Sequence, residues 1–299
     1  MIMSKEESKP KEKILDEKVD IPEDIEEEKV EIEAGTDEVV EELTEIKEIE
    51  EVGVVTTKAK KEHSFDVDAW KPKTDIGKKV KAGEIRDLSS VLSMGKKILE
   101  IEIVDFLLSN LENDLLLIGQ AKGKFGGGKR RIFKQTQKKT SEGNKPKFAT
   151  LAVVGNRNGY VGIGYGKAKE TVPSREKSFR NAKLNIIKIK RGCGSWECGC
   201  KEPHTIPFEV EGKCGSTKIV LIPAPRGTGL SVEGECAKLL SLAGITDCWS
   251  KTFGHTKTKL NLVKACFSAL KKLSNTKVPK NVEERLGIIN GAIGDKNEQ

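Results

Sequence analysis

The spacing of apolar residues separates a polar N-terminal segment from a part that can fold, which begins near Phe65. In that part, apolar side chains at spacings of three and four predict helices. These helices lie within residues 101–111, 172–189, 236–243 and 262–273. Short apolar runs predict strands. These strands lie at residues 115–118, 148–154, 160–165, 206–210, 217–222 and 247–249. The mixture predicts an α+β fold.

A hairpin is predicted where residues 148–154 and 160–165 flank an Asn- and Gly-rich turn, because Asn and Gly adopt the positive φ that tight turns require. Gly162, Gly164 and Gly166 alternate along its second strand and so share one face. Bare backbone on that face predicts a close neighbour, either a packed helix or an RNA backbone. The glycines match neither the phosphate-binding loop nor the dinucleotide fingerprint.

Charge divides the chain more sharply than hydropathy does. Residues 1–52 hold 7 basic and 21 acidic side chains, a net charge of −14, whereas the remainder carries +21. Residues 1–62 are therefore predicted to be an acidic disordered tail, either solvated or covering the basic body. No apolar run is long enough to span a membrane, and the N-terminus lacks a secretory signal, so we expect a cytosolic protein.

The most basic stretch is residues 122–147, which contains ten Lys or Arg, one Glu and the triplet Gly126–Gly128. A loop this charged repels itself until counter-charge arrives. The composition therefore favours an arm that phosphates order over a solubilising loop. The predicted helix at residues 172–189 adds further basic surface.

Soft metal ligands are concentrated in a short stretch after that helix. Cys193, Cys198, Cys200 and His204 supply three thiols and an imidazole, which could close a tetrahedral zinc site. The spacing departs from paired CxxC knuckles, so a tight turn with reduced thiols is the alternative. Cys214 is a possible substitute ligand. Because the total of seven Cys is odd, a disulfide framework is not expected.

Two further residues invite a chemical interpretation. Arg226 lies in a Pro- and Gly-rich turn, which could cradle an anion or form a rigid corner with Arg226 in a salt bridge. His255 lies near Thr252 and Thr256, but no carboxylate pattern completes a catalytic site around it. The sequence therefore predicts no enzyme and no small-molecule substrate.

Three segments together resemble a known family. They are residues 153–167, residues 191–198 (Arg-Gly-Cys-Gly-Ser-Trp-Glu-Cys) and residues 221–230 (Leu-Ile-Pro-Ala-Pro-Arg-Gly-Thr-Gly-Leu). The chain resembles the universal small-subunit ribosomal protein five family in its archaeal and eukaryotic form. The likeness runs from about Trp70 to Leu273. The acidic tail lies outside it, and residues 123–133 are extra length in the basic loop.

The resemblance implies an N-terminal domain like a double-stranded-RNA-binding fold and a βαβ-type C-terminal domain with a left-handed crossover, an exception to the usual handedness. The expected division is an acidic disordered tail (1–62), an N-terminal RNA-binding domain with the basic loop (65–192), a Cys/His-rich connector (193–204), a C-terminal α+β domain (205–277) and a tail (278–299).

The resemblance also implies a structural constituent of the cytoplasmic ribosome. Its expected partners are small-subunit rRNA, ribosomal proteins four and eight, and mRNA at the entry side, with an influence on decoding accuracy. The residues expected to contact RNA are Lys129, Arg130, Arg131, Lys145, Lys147, Phe148, Arg157, Lys167 and Arg226. No cofactor is expected beyond the possible zinc. A free double-stranded-RNA-binding regulator and an RNA-modifying enzyme are the alternatives.

Overall fold

The computed structural model describes residues 70–108, 110–120 and 130–292. The predicted acidic tail and Lys129 lie outside the described residues. The helices are α1 (Asp75–Lys81), α2 (Leu88–Ser93), α3 (Glu102–Leu107), α4 (Thr171–Leu184), α5 (Gly234–Leu242), α6 (Lys259–Asn275) and α7 (Lys280–Leu286). The strands are β1 (Glu112–Leu115), β2 (Lys134–Thr140), β3 (Gly143–Gly155), β4 (Tyr160–Ala168), β5 (Ile186–Lys188), β6 (Lys190–Arg191), β7 (Val210–Cys214), β8 (Thr217–Pro223), β9 (Leu230–Ser231), β10 (Cys248–Phe253) and β11 (Ile289–Asn290).

The N-terminal sheet is antiparallel, with the order β1-β3-β4-β5, and β2 also pairs with β3. Helix α4 covers the glycine face of β4. A Cβ at Gly164 would lie 2.1 Å from the carbonyl oxygen of Ser178, and one at Gly162 would lie 2.2 Å from that of Ala182. The close neighbour of the glycines is therefore a packed helix, not an RNA backbone.

The helix predicted at residues 172–189 is too long. Helix α4 ends at Leu184, and the chain continues as β5, in which Ile186 and Ile187 pair with Gly162 and Val161. The spacing of Ile186 and Ile189 imitates helical periodicity, but both are β-branched residues that pack well in a sheet. Nearby, the helix predicted within residues 101–111 is confined to α3, and the strand predicted at 115–118 is β1, three residues earlier.

The basic stretch is not simply a loop. Residues 134–140 form β2, which pairs along its whole length with the first half of β3, from Lys134 opposite Ala149 to Thr140 opposite Gly143. The strand predicted at 148–154 therefore begins five residues early, at Gly143. Apolar alternation marks a strand only when one face is buried, and nearly every side chain of this ribbon is exposed.

The C-terminal sheet has the order β7-β8-β10-β9, and helix α6 packs on β7 and β8. Strand β9 is parallel to β10, and α5 connects them. The strand predicted at residues 206–210 is wrong, because β7 begins at Val210 and Ile206 lies fully buried in the irregular segment before it. The strand predicted at residues 247–249 extends to Phe253.

One hydrophobic cluster spans both sheets. Leu151 and Val153 of β3 belong to the same cluster as Ile219 of β8 and Leu270 of α6. The amide N–H of Arg157 in the β3–β4 turn donates to the carbonyl oxygen of Leu242 over 2.9 Å. The N-terminal sheet is thus covered by α4 on one face and by the C-terminal half on the other, so the two halves share a core.

The C-terminal segment is structured up to residue 292. Helix α7 is followed by β11, whose Ile289 pairs with Arg191 of β6. The amide N–H of Cys193 donates to the carbonyl oxygen of Leu286 over 2.9 Å. The end of the described chain therefore packs against the start of the connector that carries the cysteines.

Candidate functional sites: a lysine ribbon and a cysteine–histidine cluster

The outer part of the β2–β3 hairpin, residues 134–148, is a two-stranded ribbon that we call the lysine ribbon. Directly opposed residues of an antiparallel pair point to the same face. The register therefore places four lysines on one face: Lys134, Lys138, Lys145 and Lys147. The opposite face carries Gln135 with Phe148, Gln137 with Pro146 and a single lysine, Lys139, opposite Asn144. The charge is visible in the sequence, but the concentration of four lysines on one face follows only from the strand register.

The lysine face lacks matching negative charge within the ribbon. Lys138 lies directly opposite Lys145, and like charges in that position destabilise a strand pair. Glu142 forms an ion pair with Lys145 at 2.9 Å, but both side chains are more than half exposed. A pair this exposed contributes little, so the face keeps a net positive charge that attracts a polyanion.

Other predicted contact residues are distributed around the ribbon. Arg130 donates through Nη2 to the carbonyl oxygen of Lys257 over 3.0 Å, and Arg131 is exposed. Phe148 is half-buried at the base of the ribbon, whereas Lys167 is exposed on β4. The structure thus brings Lys145, Lys147 and Phe148 together on one ribbon and leaves Arg130 on the body.

The other two predicted arginines take part in ion pairs within the chain. Arg157 has φ 53° and donates through Nε and Nη2 to Glu112 Oε2 over 3.0 and 2.8 Å. Arg226 pairs with Glu202 at 2.8 Å. For Arg226 the salt-bridge interpretation therefore holds, but the side chain remains 64% exposed, so it is accessible to an anion as well.

The predicted metal ligands come together in space. Ligand atoms of Cys193, Cys198, Cys200 and His204 all lie within 4.8 Å of one another. Cys193 and His204 are buried, and the other two are half-buried. Cys214 lies at the end of β7 and is not a member of this cluster. Three sulfurs and one imidazole nitrogen are a donor set that suits Zn²⁺.

The imidazole of His204 is held by a partner that no local sequence pattern marks. Its Nδ1 lies 2.9 Å from Asp247 Oδ2, and its Nε2 lies 3.8 Å from Cys198 Sγ. An ionised carboxylate only accepts, so the Nδ1 atom carries the proton and Nε2 is left as the ligand atom. In many zinc sites the ligating histidine donates its other ring N–H to a carboxylate in this way.

The thiols of the cluster differ in acidity. The backbone amide of Arg226, followed by that of Cys200, lowers the pKa of Cys198 to about 6. Burial, followed by the neighbouring thiols of Cys200 and Cys198, raises the pKa of Cys193 to about 11. Backbone N–H groups that face a sulfur stabilise a thiolate, and a thiolate is the form that binds metal.

The remaining candidate for chemistry, His255, forms no acid–base pair. Its carbonyl oxygen accepts a hydrogen bond from Thr217 Oγ1 over 3.3 Å. Its ring forms no hydrogen bond or ion pair with a carboxylate in the part of the chain that the structure describes. Among the described helices, none has the length and apolar character needed to cross a bilayer.

An α+β body that projects a lysine face defines a protein suited to binding a polyanion. The model of the ribosomal protein S5 N-terminal domain matches residues 132–190, and that of the S5 C-terminal domain matches residues 212–285. The chain belongs to the ribosomal protein S5 family, as the resemblance predicted. This family is a structural component of ribosomes rather than an enzyme family.

Similar curated proteins come from archaea and carry the name small ribosomal subunit protein uS5. The one from Nanoarchaeum equitans is 46% identical over 231 residues, which cover 77% of this chain and 99% of the relative. The one from Methanocaldococcus jannaschii is 48% identical over 230 residues, with the same coverage. The one from Picrophilus torridus is 44% identical over 226 residues, covering 76% of this chain and 96% of the relative.

Proposed function

We propose that this protein is a structural constituent of the small ribosomal subunit and binds its rRNA in the cytoplasm. The names of the relatives support the assembly. The observation that carries RNA binding is the lysine face of the ribbon, on which Lys134, Lys138, Lys145 and Lys147 point the same way. The two alternatives, a free double-stranded-RNA-binding regulator and an RNA-modifying enzyme, are less well supported, because the family is ribosomal.

Binding by this face is electrostatic. Lysines that approach phosphates release condensed counterions, so affinity falls steeply as salt rises. Lysine ammonium groups are compact point charges that suit phosphates, so we expect the ribbon to recognise mainly the backbone and shape of folded RNA. Phe148 at the ribbon base adds an aromatic surface to the opposite face. We propose that Arg130, Arg131, Lys167 and Arg226 extend the contact surface over the body.

The finer expectations are part of the same proposal. We propose that ribosomal proteins four and eight are neighbours, that the protein lies at the mRNA entry side, and that it contributes to decoding accuracy. The order α3, β1, β3, β4 and α4 supports a double-stranded-RNA-binding-like N-terminal half. The parallel pair of β9 and β10, connected by α5, supports a βαβ-type C-terminal half.

The test is a triple substitution of Lys138, Lys145 and Lys147 to Glu in the full chain. Binding to purified small-subunit rRNA is measured from 50 mM to 500 mM salt. We expect the slope of log affinity against log salt to decrease by about 2–3 units. The charge-matched control replaces Lys271, Lys277 and Lys280, which are exposed on and after α6. Equal losses in both variants would contradict the role of the ribbon.

We also propose that the cysteine–histidine cluster holds a structural zinc ion. Zinc would join four ligands that all lie within the connector, and so fix the fold of that connector, and would catalyse no reaction. The supporting observation is the approach of one imidazole and three sulfurs to within 4.8 Å. Cys198→Ser should abolish stoichiometric zinc in native mass spectrometry, whereas Cys214→Ser should retain it. A wild-type chain purified with zinc present that holds less than one equivalent would refute the site.

A further inference from the structure

Asp247 connects two parts of the chain through its two carboxylate oxygens. Its Oδ2 accepts from His204 Nδ1 over 2.9 Å and from Thr246 Oγ1 over 3.0 Å. Its Oδ1 accepts from the amide N–H of Gly229 over 2.8 Å. Asp247 is 4% exposed, so these bonds form away from competing water. One buried side chain therefore binds both a candidate metal ligand and the end of the turn that carries Arg226.

The turn from Pro225 to Gly229 has little packing of its own. A Cβ built at Gly227 or at Gly229 would meet nothing within 4 Å, and both glycines have positive φ. Within the turn, Thr228 Oγ1 donates to the carbonyl oxygen of Pro225 over 2.9 Å. Without side chains to bury, the turn depends on hydrogen bonds at its ends for its position.

The other hydrogen bonds of this turn also lead to the connector. The amide of Arg226 faces the thiol of Cys198, and the Arg226 guanidinium pairs with Glu202 at 2.8 Å. Just before the turn, the amide of Ala224 donates to Thr205 Oγ1 over 3.4 Å. The connector that holds the cysteines thus also holds the turn, and Asp247 adds a buried link through both of its carboxylate oxygens.

We propose that Asp247 is a positioning residue that couples the metal centre to the Arg226 turn, so that loading the metal orders the turn. This proposal rests on the proposed zinc site. A metal on His204 Nε2 fixes the ring, and the ring fixes the carboxylate that holds Gly229. Coupling between two sites is reciprocal, so an anion that orders the turn tightens metal binding by the same factor.

Metal affinity gives the first test. Zinc is titrated into full-length protein in competition with a chromophoric chelator, for the wild type, Asp247→Asn and the control Asp105→Asn. Asp105 of α3 forms a partly buried ion pair with Lys183 of α4 at 2.5 Å, outside both the connector and the turn. We expect Asp247→Asn to bind zinc about 10–100-fold more weakly, because losing the hydrogen-bond partner of a metal-ligating histidine typically has that effect. Asp105→Asn should match the wild type.

A merely structural role for Asp247 is separated by thermal unfolding with and without zinc. Positioning predicts that Asp247→Asn narrows the gap in Tm between the metal-loaded and metal-free protein. A purely structural role predicts an equal drop in both forms with unchanged zinc affinity. That outcome would overturn the coupling and leave the zinc site standing, whereas a wild type without zinc would overturn both.

Hydrogen exchange of the wild-type chain gives a second test that needs no substitution. Removing the metal with a chelator should increase exchange of the Arg226 and Gly229 amides by about tenfold or more. The Leu116 amide, which donates to the Leu151 carbonyl oxygen over 3.0 Å in the N-terminal sheet, is the internal control and should not change. Equal protection of the turn with and without metal contradicts the proposal.

Discussion

The two halves of β3 have opposite surroundings. Residues 149–155 are buried on both faces, with Thr150 and Ala152 facing α4 and Leu151 and Val153 facing the shared core. Residues 143–147 of the same strand are exposed and pair only with β2. The inner half contributes burial and hydrogen bonds to stability, while the outer half contributes charge and little buried surface.

This contrast shows how one continuous strand can serve two purposes. The backbone ladder continues from one half into the other, so the rigid inner half determines the direction in which the lysine ribbon leaves the body. Side chains of the outer half are free to serve binding, because none of them fills the core. Substitutions in the inner half should therefore affect folding, and substitutions in the outer half should affect binding.

The largest expected effect on stability comes from Gly164 of β4, which pairs with the buried inner half of β3. Gly164→Ala would place a Cβ 2.1 Å from the Ser178 carbonyl oxygen and 2.2 Å from the Ala182 amide nitrogen, both in the helix backbone. Helix α4 would have to move off the sheet, at a cost of about 3–5 kcal/mol in the free energy of unfolding. Urea denaturation measures this. Gly234→Ala, where a Cβ meets nothing within 4 Å, should change stability by less than about 0.5 kcal/mol.

A smaller effect is expected from the buried hydroxyl of Thr150. Its Oγ1 donates to the carbonyl oxygen of Ser174 over 2.8 Å, and it is fully buried between the sheet and α4. Thr150→Val preserves the shape of the side chain but removes the donor to the buried carbonyl oxygen of Ser174. We therefore expect the free energy of unfolding, measured by urea denaturation, to fall by about 1–3 kcal/mol. Thr136→Val on the exposed ribbon is the matched control. An equal loss of stability in both variants would contradict the claim that the inner half of β3 carries the stability and the ribbon does not.

Two carboxylates, the partly buried Glu100 and the exposed Glu142, should differ in how their contribution to stability depends on pH. Burial tends to raise the pKa of Glu100, but N–H donors from Thr74, Lys73 and Trp70 outweigh it and lower the pKa below the ordinary value of a glutamate. The stabilisation by the charged Glu100 carboxylate is therefore complete at pH values above the ordinary pKa of a glutamate. It is lost as the pH falls through the lower pKa that Glu100 has in the folded protein. Glu100→Gln should cost about 1 kcal/mol at pH 7, and the difference should vanish in acid.

Glu142 on the lysine ribbon supplies the matched control for that experiment. Its ion pair with Lys145 is exposed, so Glu142→Gln should change stability by only a few tenths of a kcal/mol at any pH. Unfolding followed by fluorescence across the pH range distinguishes the two carboxylates. If Glu100→Gln retains its deficit in acid, the loss does not come from the charged form of the carboxylate.

The smallest expected effect lies on the lysine face and has the opposite sign. Lys138→Thr removes a like-charge pair with Lys145 and should stabilise the chain by about 0.2–0.5 kcal/mol at low salt. Screening should abolish the gain at 1 M salt, where the Debye length is about 3 Å. The same substitution should weaken RNA binding. A gain that persists at high salt would show that repulsion between these lysines is not its source.

Sequence patterns predicted most of the longer elements that bury apolar side chains, but missed α1, which buries Ile76 and Val80, and the elements that bury little. The hairpin of β3 and β4 follows from its turn and its alternating glycines, and α6 from its apolar stripe. The ribbon has no apolar alternation to detect, and the end of α4 was hidden by the spacing of Ile186 and Ile189. Helix α7 lacks any fully buried residue, so no periodicity marked it.

The candidate sites divide in a similar way. The four metal ligands lie within twelve residues and could be found from spacing alone. Asp247 is 43 residues beyond His204 in the chain, and nothing local marks it as a partner. The pairing of Arg157 with Glu112, 45 residues apart, was equally hidden. Contacts at this separation are determined by how β1, β3 and the connector pack, which local patterns do not specify.

The shared core has a consequence for the integrity of the molecule. Apolar side chains from both matched segments interlock in one cluster, and the N–H of Leu117 donates to Glu235 Oε2 across the boundary over 2.9 Å. A protease cut in the exposed stretch near Lys201 would therefore leave two fragments that stay associated through this cluster, and heating should melt the described part of the chain, residues 70–292, in a single cooperative transition.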